Sequence, residues 1–409
     1  MKSDKITEYQ YLLLKMLSDS LFNQKNDIDL NNESIAKVYS EAYIQTVELI
    51  AFSNISLDSF EPVVSLPLKH KINSRFIRNI SINNAHIRLH NLLQRENIPY
   101  VILKGIAAAD YYPDPMLRAM GDVDFLVKPE DIERVDKLFL SIGYKSAKKE
   151  NDHHITYDGT DARYELHFCP PGIPDGVAGE RIEEVFSDII EKRVEIKTEI
   201  GNVFVPSRLH HGLILLLHTV HHLTGDGLGL RHLCDWAVFQ NSFNKDDFCS
   251  TFKSLFKSVG LWQFTLVLSD VCVRYLGCPV ILPVTEEISE LSDKFIEDIF
   301  SSGNFGQKNE DRSHESLLIS SPSKSNSENY TTMVLQAFRA VNEIVYRNWP
   351  FVRKFKVFLP VGWLFFGVRY VSRSLMGKRP SIHLKSVLSE AHSRIEFYNR
   401  LIIFDIDEE

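Results

Sequence analysis

The sequence predicts an α+β protein in which a small mixed β-sheet lies between two helical regions. Apolar residues recur at helical spacing up to Pro99 and again from Ser207 onwards. Between these regions the pattern changes to short apolar runs and alternating segments, which are typical of strands. With 409 residues, the chain is also longer than one hydrophobic core usually serves, so we expect several domains.

The same patterns divide the chain into five regions. They are an N-terminal helical region at 1–99, an α/β core at 100–206, a helical domain at 207–300, a polar loop at 301–329, and a C-terminal helical region at 330–409 that is basic and aromatic and ends in an acidic tail. The loop assignment rests on its richness in Ser, Asn and charged residues, which favours weak order.

The core begins with a strand at 100–103, followed by a turn and a helix at 106–112. A second strand is expected at 123–127. The next helix starts near Pro129, which suits a first helical turn, and ends before Gly143.

Two alternating segments, 153–158 and 162–168, predict a hairpin. After them the helical spacing returns. The predicted helices of the following domain lie at 209–223, 230–239, 248–259, 261–276 and 286–300.

Composition favours a cytoplasmic globular protein. The five cysteines show no paired spacing, which suggests reduced thiols. Charged residues interrupt the N-terminus too early for a secretory signal, and Pro360 and Arg369 interrupt the apolar stretch 357–371, so no membrane span is expected. The formal net charge of -8 argues only mildly against a body that binds nucleic acid non-specifically, since a local basic groove is compatible with that total.

Asp122 and Asp124 are the first candidate site residues. Nucleotidyl transfer requires charge neutralisation and positioning, commonly by two Mg²⁺ ions. Residues two apart on a strand point to the same face, so both carboxylates could share a metal pair. The apolar residues between and after them fix the opposite face towards a core.

Glu165 is the expected third ligand, because it lies between apolar residues on the neighbouring predicted strand. A salt bridge to Arg163 or to a lysine is the alternative. Lys104 and Gly105 open a helix, where backbone N–H groups can receive a triphosphate, and Lys104 or Arg118 could neutralise it. An ion pair with Asp114 is the alternative for Arg118.

The chain resembles the uncharacterised nucleotidyltransferase family, of the polymerase-beta type superfamily. The resemblance is carried by Val101–Gly105, Tyr112-Pro113, Arg118, Gly121–Val127 and Glu165–His167, and it extends over most of 85–240. It implies a minimal nucleotidyltransferase core with an Asp-x-Asp metal pair, a third carboxylate and a glycine-containing phosphate turn.

The expected activity is therefore magnesium-dependent transfer of a nucleoside monophosphate from an NTP, ATP among the candidates, to an acceptor hydroxyl with release of pyrophosphate. Two Mg²⁺ ions are expected, with Mn²⁺ as a substitute. An RNA end, a protein side chain, and a sugar or small metabolite all remain open as the acceptor. A non-catalytic nucleotide-binding sensor on the same fold is the alternative.

A histidine cluster follows the core. His218 and His222 lie four apart, a spacing that suits zinc, but no nearby Glu completes a zinc-hydrolase pattern. We favour local hydrogen bonding or a place along the nucleotide cleft for the cluster, whose members are His210, His211, His218, His221 and His222. Arg231 and Asp235 are expected to form a helix pair or to support the site.

The segment 351–380 combines basic and aromatic residues with no acidic residue. Such a segment could contact an anionic membrane at the inner membrane surface or clamp an acidic substrate. The alternative is a basic helix pair that covers the protein's own apolar surface.

Overall fold

A computed structural model describes residues 5–147, 154–225, 227–308, 342, 345, 346, 349, 351–375, 394 and 396–406. The chain forms two compact units. The first comprises 1–223, 227–308 and 400–409, and the second comprises 224–226 and 309–399. The predicted five-region boundaries stay predictions, whereas the α+β class is confirmed.

The first unit begins with helices, as predicted. They are α1 (Glu8–Phe22), α2 (Asn32–Ile44), α3 (Glu48–Ala51) and α4 (Pro62–Arg95), with a 3-10 turn at Leu57–Ser59. The start of α2 shows how the sequence sets these bounds, because the Asn31 side chain accepts hydrogen bonds from the N–H groups of Glu33 and Ser34. Such capping satisfies donors that the first helical turn leaves free.

A five-stranded mixed sheet follows. Its strands are β1 (Tyr100–Ile102), β2 (Val123–Val127), β3 (Lys145–Ala147), β4 (His154–Asp158) and β5 (Arg163–His167). They lie in the order β1-β2-β5-β4-β3, and the β2–β5 pair is parallel while the others are antiparallel. The predicted mixed sheet and the β4–β5 hairpin are confirmed.

Three further helices and a separate two-stranded sheet complete this α/β region. They are α5 (Ile106–Ala109), α6 (Ile132–Ser141) and α7 (Val177–Phe186), with β6 (Val194–Thr198) paired to β7 (Gly201–Val205) and short 3-10 turns at Pro115–Leu117 and Pro129–Asp131. The helix α5 is shorter than predicted. Pro113 and Pro115 follow it closely, and a proline disfavours helical geometry in the residue before it.

The central strands have one apolar and one polar face. Val123, Phe125 and Val127 of β2 join Tyr164 and Leu166 of β5 in a buried cluster with the inner side of α4 and α6. Because side chains alternate along a strand, the residues between them face the opposite side. The polar side chains of both strands therefore share one face.

The helical domain of the first unit matches the predicted helices closely. Its members are α8 (Arg208–Thr224), α9 (Leu230–Asn241), α10 (Lys245–Ser258), α11 (Trp262–Leu276) and α12 (Glu286–Ser302), followed by a 3-10 turn at Asn304–Gly306. Of the predicted polar loop, 301–308 thus form a helix end and a turn, and 309–329 lie outside the described residues.

The described part of the second unit contains α13 (Phe351–Lys354), a 3-10 turn (Lys356–Phe358) and α14 (Leu359–Leu375). The Trp363 indole N–H donates to the side chain of Asn342 at 2.8 Å. Residues 376–380 of the predicted basic segment lie outside the described residues. Among the helices that are described, none has both the length and the apolar character needed to cross a bilayer.

Candidate functional site

The strand register brings Asp124 and Glu165 side by side. Asp124 of β2 is the direct partner of Glu165 in β5, and Leu126 is the partner of His167. Since residues two apart share a face, Asp124, Glu165 and His167 all lie on the polar face of the sheet. One potential ligand atom from each of these three residues lies within 4.8 Å of the others.

Asp124 is the centre of this group and is only 8% exposed. Its Oδ1 lies 2.9 Å from the Lys104 ammonium and 2.9 Å from Nε2 of His167. Burial alone would raise the pKa of Asp124, but Lys104 and His167 hold that pKa well below its ordinary value. The carboxylate is therefore ionised at neutral pH.

The pKa of His167 is raised, whereas that of Asp124 is lowered. Burial would lower the pKa of His167, but the hydrogen bond with Asp124 and the nearby carboxylate of Glu165 raise it overall. Glu165 Oε2 lies 3.6 Å from His167 Nε2, and Glu165 Oε1 lies 4.0 Å from His154 Nε2. Nε2 of His167 is thus hydrogen-bonded to Asp124 and lies further from Glu165.

Asp122 lies immediately before β2 and is not a member of the group within 4.8 Å. Burial raises the pKa of Asp122, and the negative charges of Glu165 and Asp124 raise it further. Three carboxylates that repel each other in this way form a site that a cation would stabilise. Oxygen donors suit Mg²⁺ and Mn²⁺, and imidazole also binds Mn²⁺, so the residues fit the expected metal.

A salt bridge with Arg163 or a lysine is the predicted alternative role of Glu165. Arg163 donates from Nε to Asp158 Oδ1 at 2.9 Å, at the exposed end of the hairpin. Among the described residues, the ion-pair partners of the Glu165 carboxylate within 4.0 Å are His154 and His167. Within the described part of the chain, Glu165 forms no ion pair with Arg163, and its metal-ligand role stays a prediction.

Lys104 and Gly105 connect β1 to α5. The ammonium of Lys104 lies 3.3 Å from His218 Nε2 as well as beside Asp124. Gly105 has φ +63°, and a Cβ there would lie 2.5 Å from Nε2 of His86. The glycine is therefore needed for close packing against His86, a requirement separate from its predicted contact with phosphate.

Arg118 is 4% exposed and forms a buried bidentate ion pair with Asp235. Its Nε and Nη2 each donate to one oxygen of Asp235 at 2.7 Å, and the Tyr112 hydroxyl donates to Asp235 Oδ1 at 2.6 Å. Asp114, the predicted alternative partner, instead accepts from the Met116 N–H. Asp235 supports the segment that leads into β2, and the nucleotide role of Arg118 stays a prediction.

Arg231 is the predicted helix partner of Asp235, but Asp235 pairs with Arg118 instead. Nη1 of Arg231 donates to the Ala119 carbonyl at 3.4 Å. Its Nε has no hydrogen-bond partner among the described residues. The positive charge of Arg231 thus lies near the site without a bonded carboxylate in that part of the chain.

Sequence reasoning gave no role to two residues that the structure places at the site. His167 carried a usable signal, because it is two residues from Glu165 on the same strand. His86 carried none, since its contact with Gly105 depends on how α4 packs against the sheet. The Nδ1–H of His86 donates to the Ile82 carbonyl, and burial lowers its pKa to about 4.

Comparisons with known proteins identify a family for the chain. Residues 32–277 match the model of the family described as uncharacterised nucleotidyltransferase. No curated protein matches the chain. Among solved structures, the chain is similar to an antigenic nucleotidyltransferase-like protein from Paracoccidioides brasiliensis, with 14% identity and a TM-score of 0.31, over 49% of this chain and 93% of that one. Because the family model spans more than half of the chain, this protein belongs to the uncharacterised nucleotidyltransferase family.

Proposed function

We propose that the protein is a magnesium-dependent nucleotidyltransferase. It would move a nucleoside monophosphate from an NTP to an acceptor hydroxyl. The observation that supports this most is the pairing of Asp124 with Glu165 on adjacent parallel strands, which places two carboxylates and His167 within 4.8 Å. Family membership favours the same reaction class.

In the proposed reaction the acceptor oxygen bonds to the α-phosphorus of the NTP. The bond between that phosphorus and the oxygen that bridges the α- and β-phosphates breaks. Pyrophosphate leaves with the electron pair of that bond. Asp122, Asp124 and Glu165 would hold Mg²⁺, which when bound would neutralise the phosphates and acidify the acceptor hydroxyl. Glu165, at the edge of the group, would accept the hydroxyl proton.

Lys104 has a defined part in this proposal. Its ammonium and Nε2 of His167 both contact Oδ1 of Asp124, an oxygen that a metal would require. The ammonium would move to a phosphate oxygen when the nucleotide binds, which would free Asp124 for the cation. Lys104 would thus hold the empty site in an ionised state and later neutralise the triphosphate.

Asp124→Asn is the direct test. We expect it to reduce label transfer from α-labelled NTPs, together with pyrophosphate release, by at least about a hundredfold, because it removes a metal-binding charge. The assay would supply each NTP in turn with Mg²⁺ and fractionated cell extract as the source of acceptor. Circular dichroism would confirm that the variant is folded.

Asp158→Asn is the matched control, since Asp158 is an exposed aspartate on β4 of the same sheet and forms an ion pair with Arg163. It should retain full activity. Equal turnover by the Asp124→Asn variant and the wild type would contradict the proposal. A nucleotide-induced thermal shift without pyrophosphate release from any NTP would favour the non-catalytic sensor instead.

A further inference from the structure

Three histidines gather near Lys104, whose ammonium also contacts Asp124. His218 and His222 lie one turn apart on α8, and the start of α9 brings His232 against them. Their ring centres lie 4.4, 5.0 and 4.8 Å apart, and one nitrogen from each lies within 4.8 Å of the others. Two helices thus converge on a triangle of imidazoles.

This triangle is close to the size that one metal ion requires. Zinc–nitrogen bonds of about 2.0–2.1 Å in a tetrahedral site hold the ligand nitrogens about 3.3 Å apart. Nε2 of His218 and Nε2 of His222 are already 2.9 Å apart. Small side-chain adjustments would therefore bring the three nitrogens to ligand distances.

His232 shows the hydrogen bonding expected of a metal ligand. The side chain is 2% exposed, and its Nδ1–H donates to the Gly229 carbonyl at 3.4 Å. That bond leaves the lone pair on Nε2, which has no partner among the described residues. A backbone carbonyl is one of the groups that commonly accept from the outer nitrogen of a metal-binding histidine.

From this geometry we propose that His218, His222 and His232 bind a transition-metal ion such as Zn²⁺, at a site separate from the carboxylate group. Three imidazoles without a carboxylate suit Zn²⁺ or a similar ion and do not suit Mg²⁺. The proposal does not depend on nucleotidyl transfer.

The charge state of the histidines supports a cation rather than an anion as the ligand. Burial lowers the pKa of all three well below the ordinary value, and the charges of Lys104 and Arg231 contribute. Neutral imidazole is the form that binds metals, whereas an anion such as phosphate is bound best by the charged form. An anionic fourth ligand, such as hydroxide, would offset the nearby positive charges.

Co²⁺ is a suitable probe, because its visible absorption reports nitrogen ligands. The titration would use the full chain carrying Asp124→Asn and Glu165→Gln, so that the carboxylate group does not contribute. We expect one equivalent of Co²⁺ to bind, to resist excess Mg²⁺ and to be displaced by Zn²⁺. Adding His222→Ala or His232→Ala should weaken binding by about a hundredfold or more.

His221→Ala is the matched control, because His221 is an exposed histidine on the same helix outside the triangle. It should leave Co²⁺ affinity unchanged. Metal-free thermal unfolding and circular dichroism would show that the variants fold, and His232→Gln provides a conservative second replacement. Unchanged Co²⁺ binding after the loss of His222 or His232 would overturn the proposal, as would binding of inorganic phosphate, but not Co²⁺, at these histidines.

A different observation carries a second inference, about the second unit. Large apolar side chains are exposed along its described helices, with exposed fractions from 46% to 77%: Phe351, Phe355, Val357, Phe358, Val361, Leu364, Phe365 and Val368. The last four occupy positions i, i+3, i+4 and i+7 of α14, so they form one stripe. Residues 351–375 also include five basic residues and no acidic residue.

We propose that this stripe binds an anionic lipid surface. Apolar side chains would enter the boundary between headgroups and acyl chains, while basic residues such as Lys354 and Lys356 would meet the lipid charge. The wild-type protein should float with vesicles that contain phosphatidylserine and should remain free with phosphatidylcholine alone. Higher salt should weaken the binding.

Leu364→Glu with Phe365→Glu should abolish flotation, whereas Val63→Glu, at an exposed apolar residue of α4, should not. Equal flotation of wild type and the double variant would overturn the proposal. A wild-type dimer in light scattering that the double variant loses, without vesicle binding by either, would show that a second copy covers the stripe instead.

Discussion

Asp235→Ala is expected to lower the free energy of unfolding by about 3–5 kcal/mol, which would make it one of the most destabilising single replacements in the chain. The variant would leave the Arg118 guanidinium buried at 4% exposure without its carboxylate. It would also remove the acceptor of the Tyr112 hydroxyl. A buried charge without a partner is far less stable than the pair it came from.

Urea denaturation followed by circular dichroism would measure this loss. Asp158→Ala supplies the comparison, because Asp158 and Arg163 form an exposed pair worth about 1 kcal/mol or less. The double replacement Arg118→Met with Asp235→Leu should recover much of the stability, since it removes both charges. Similar losses for the buried and the exposed aspartate would contradict the prediction.

Gly105→Ala is expected to cost about 2–5 kcal/mol of stability. Two effects add at this position. The backbone has φ +63° and ψ -116°, a conformation that residues with a Cβ rarely adopt, and the new methyl group would lie 2.5 Å from Nε2 of His86. Repacking would displace His86 or the turn that carries Lys104.

Gly121→Ala is the matched control, because no atom beyond its chain neighbours lies within 4 Å of an added Cβ and its φ is not in the left-handed region. The free energy of unfolding of the Gly121→Ala variant should differ from that of the wild type by about 0.5 kcal/mol or less. Combining Gly105→Ala with His86→Ala should relieve the steric contact but not the backbone strain. Equal stability of the two glycine variants in chemical denaturation would show that this turn adapts easily.

The part of the site that follows from local periodicity could be predicted. Alternation along β2 and β5 placed Asp124 and Glu165 on a polar face, and the structure pairs them directly. The same alternation places His167 on that face, two residues from Glu165. Helix spacing also predicted α8 to α12 to within a few residues.

The remaining parts of the site depend on contacts between segments that are distant in the sequence. No local sequence pattern contains such contacts. Arg118 and Asp235 are 117 residues apart, and the local pattern offered only Asp114 as an ion-pair partner of Arg118. The contact of Gly105 with His86 likewise depends on where α4 crosses the sheet. His232 is on a different helix from His218 and His222, so the i, i+4 spacing alone could not complete the triangle.

The position of Lys104 has a consequence for regulation. One ammonium lies 2.9 Å from Asp124 and 3.3 Å from His218, so it contributes to the electrostatic field of both groups. A ligand that draws this ammonium towards one group changes the affinity of the other. Thermodynamic linkage requires the effect to be reciprocal, so a metal ion held by the histidines would act as an effector of the proposed nucleotide site, and a nucleotide bound there as an effector of metal release.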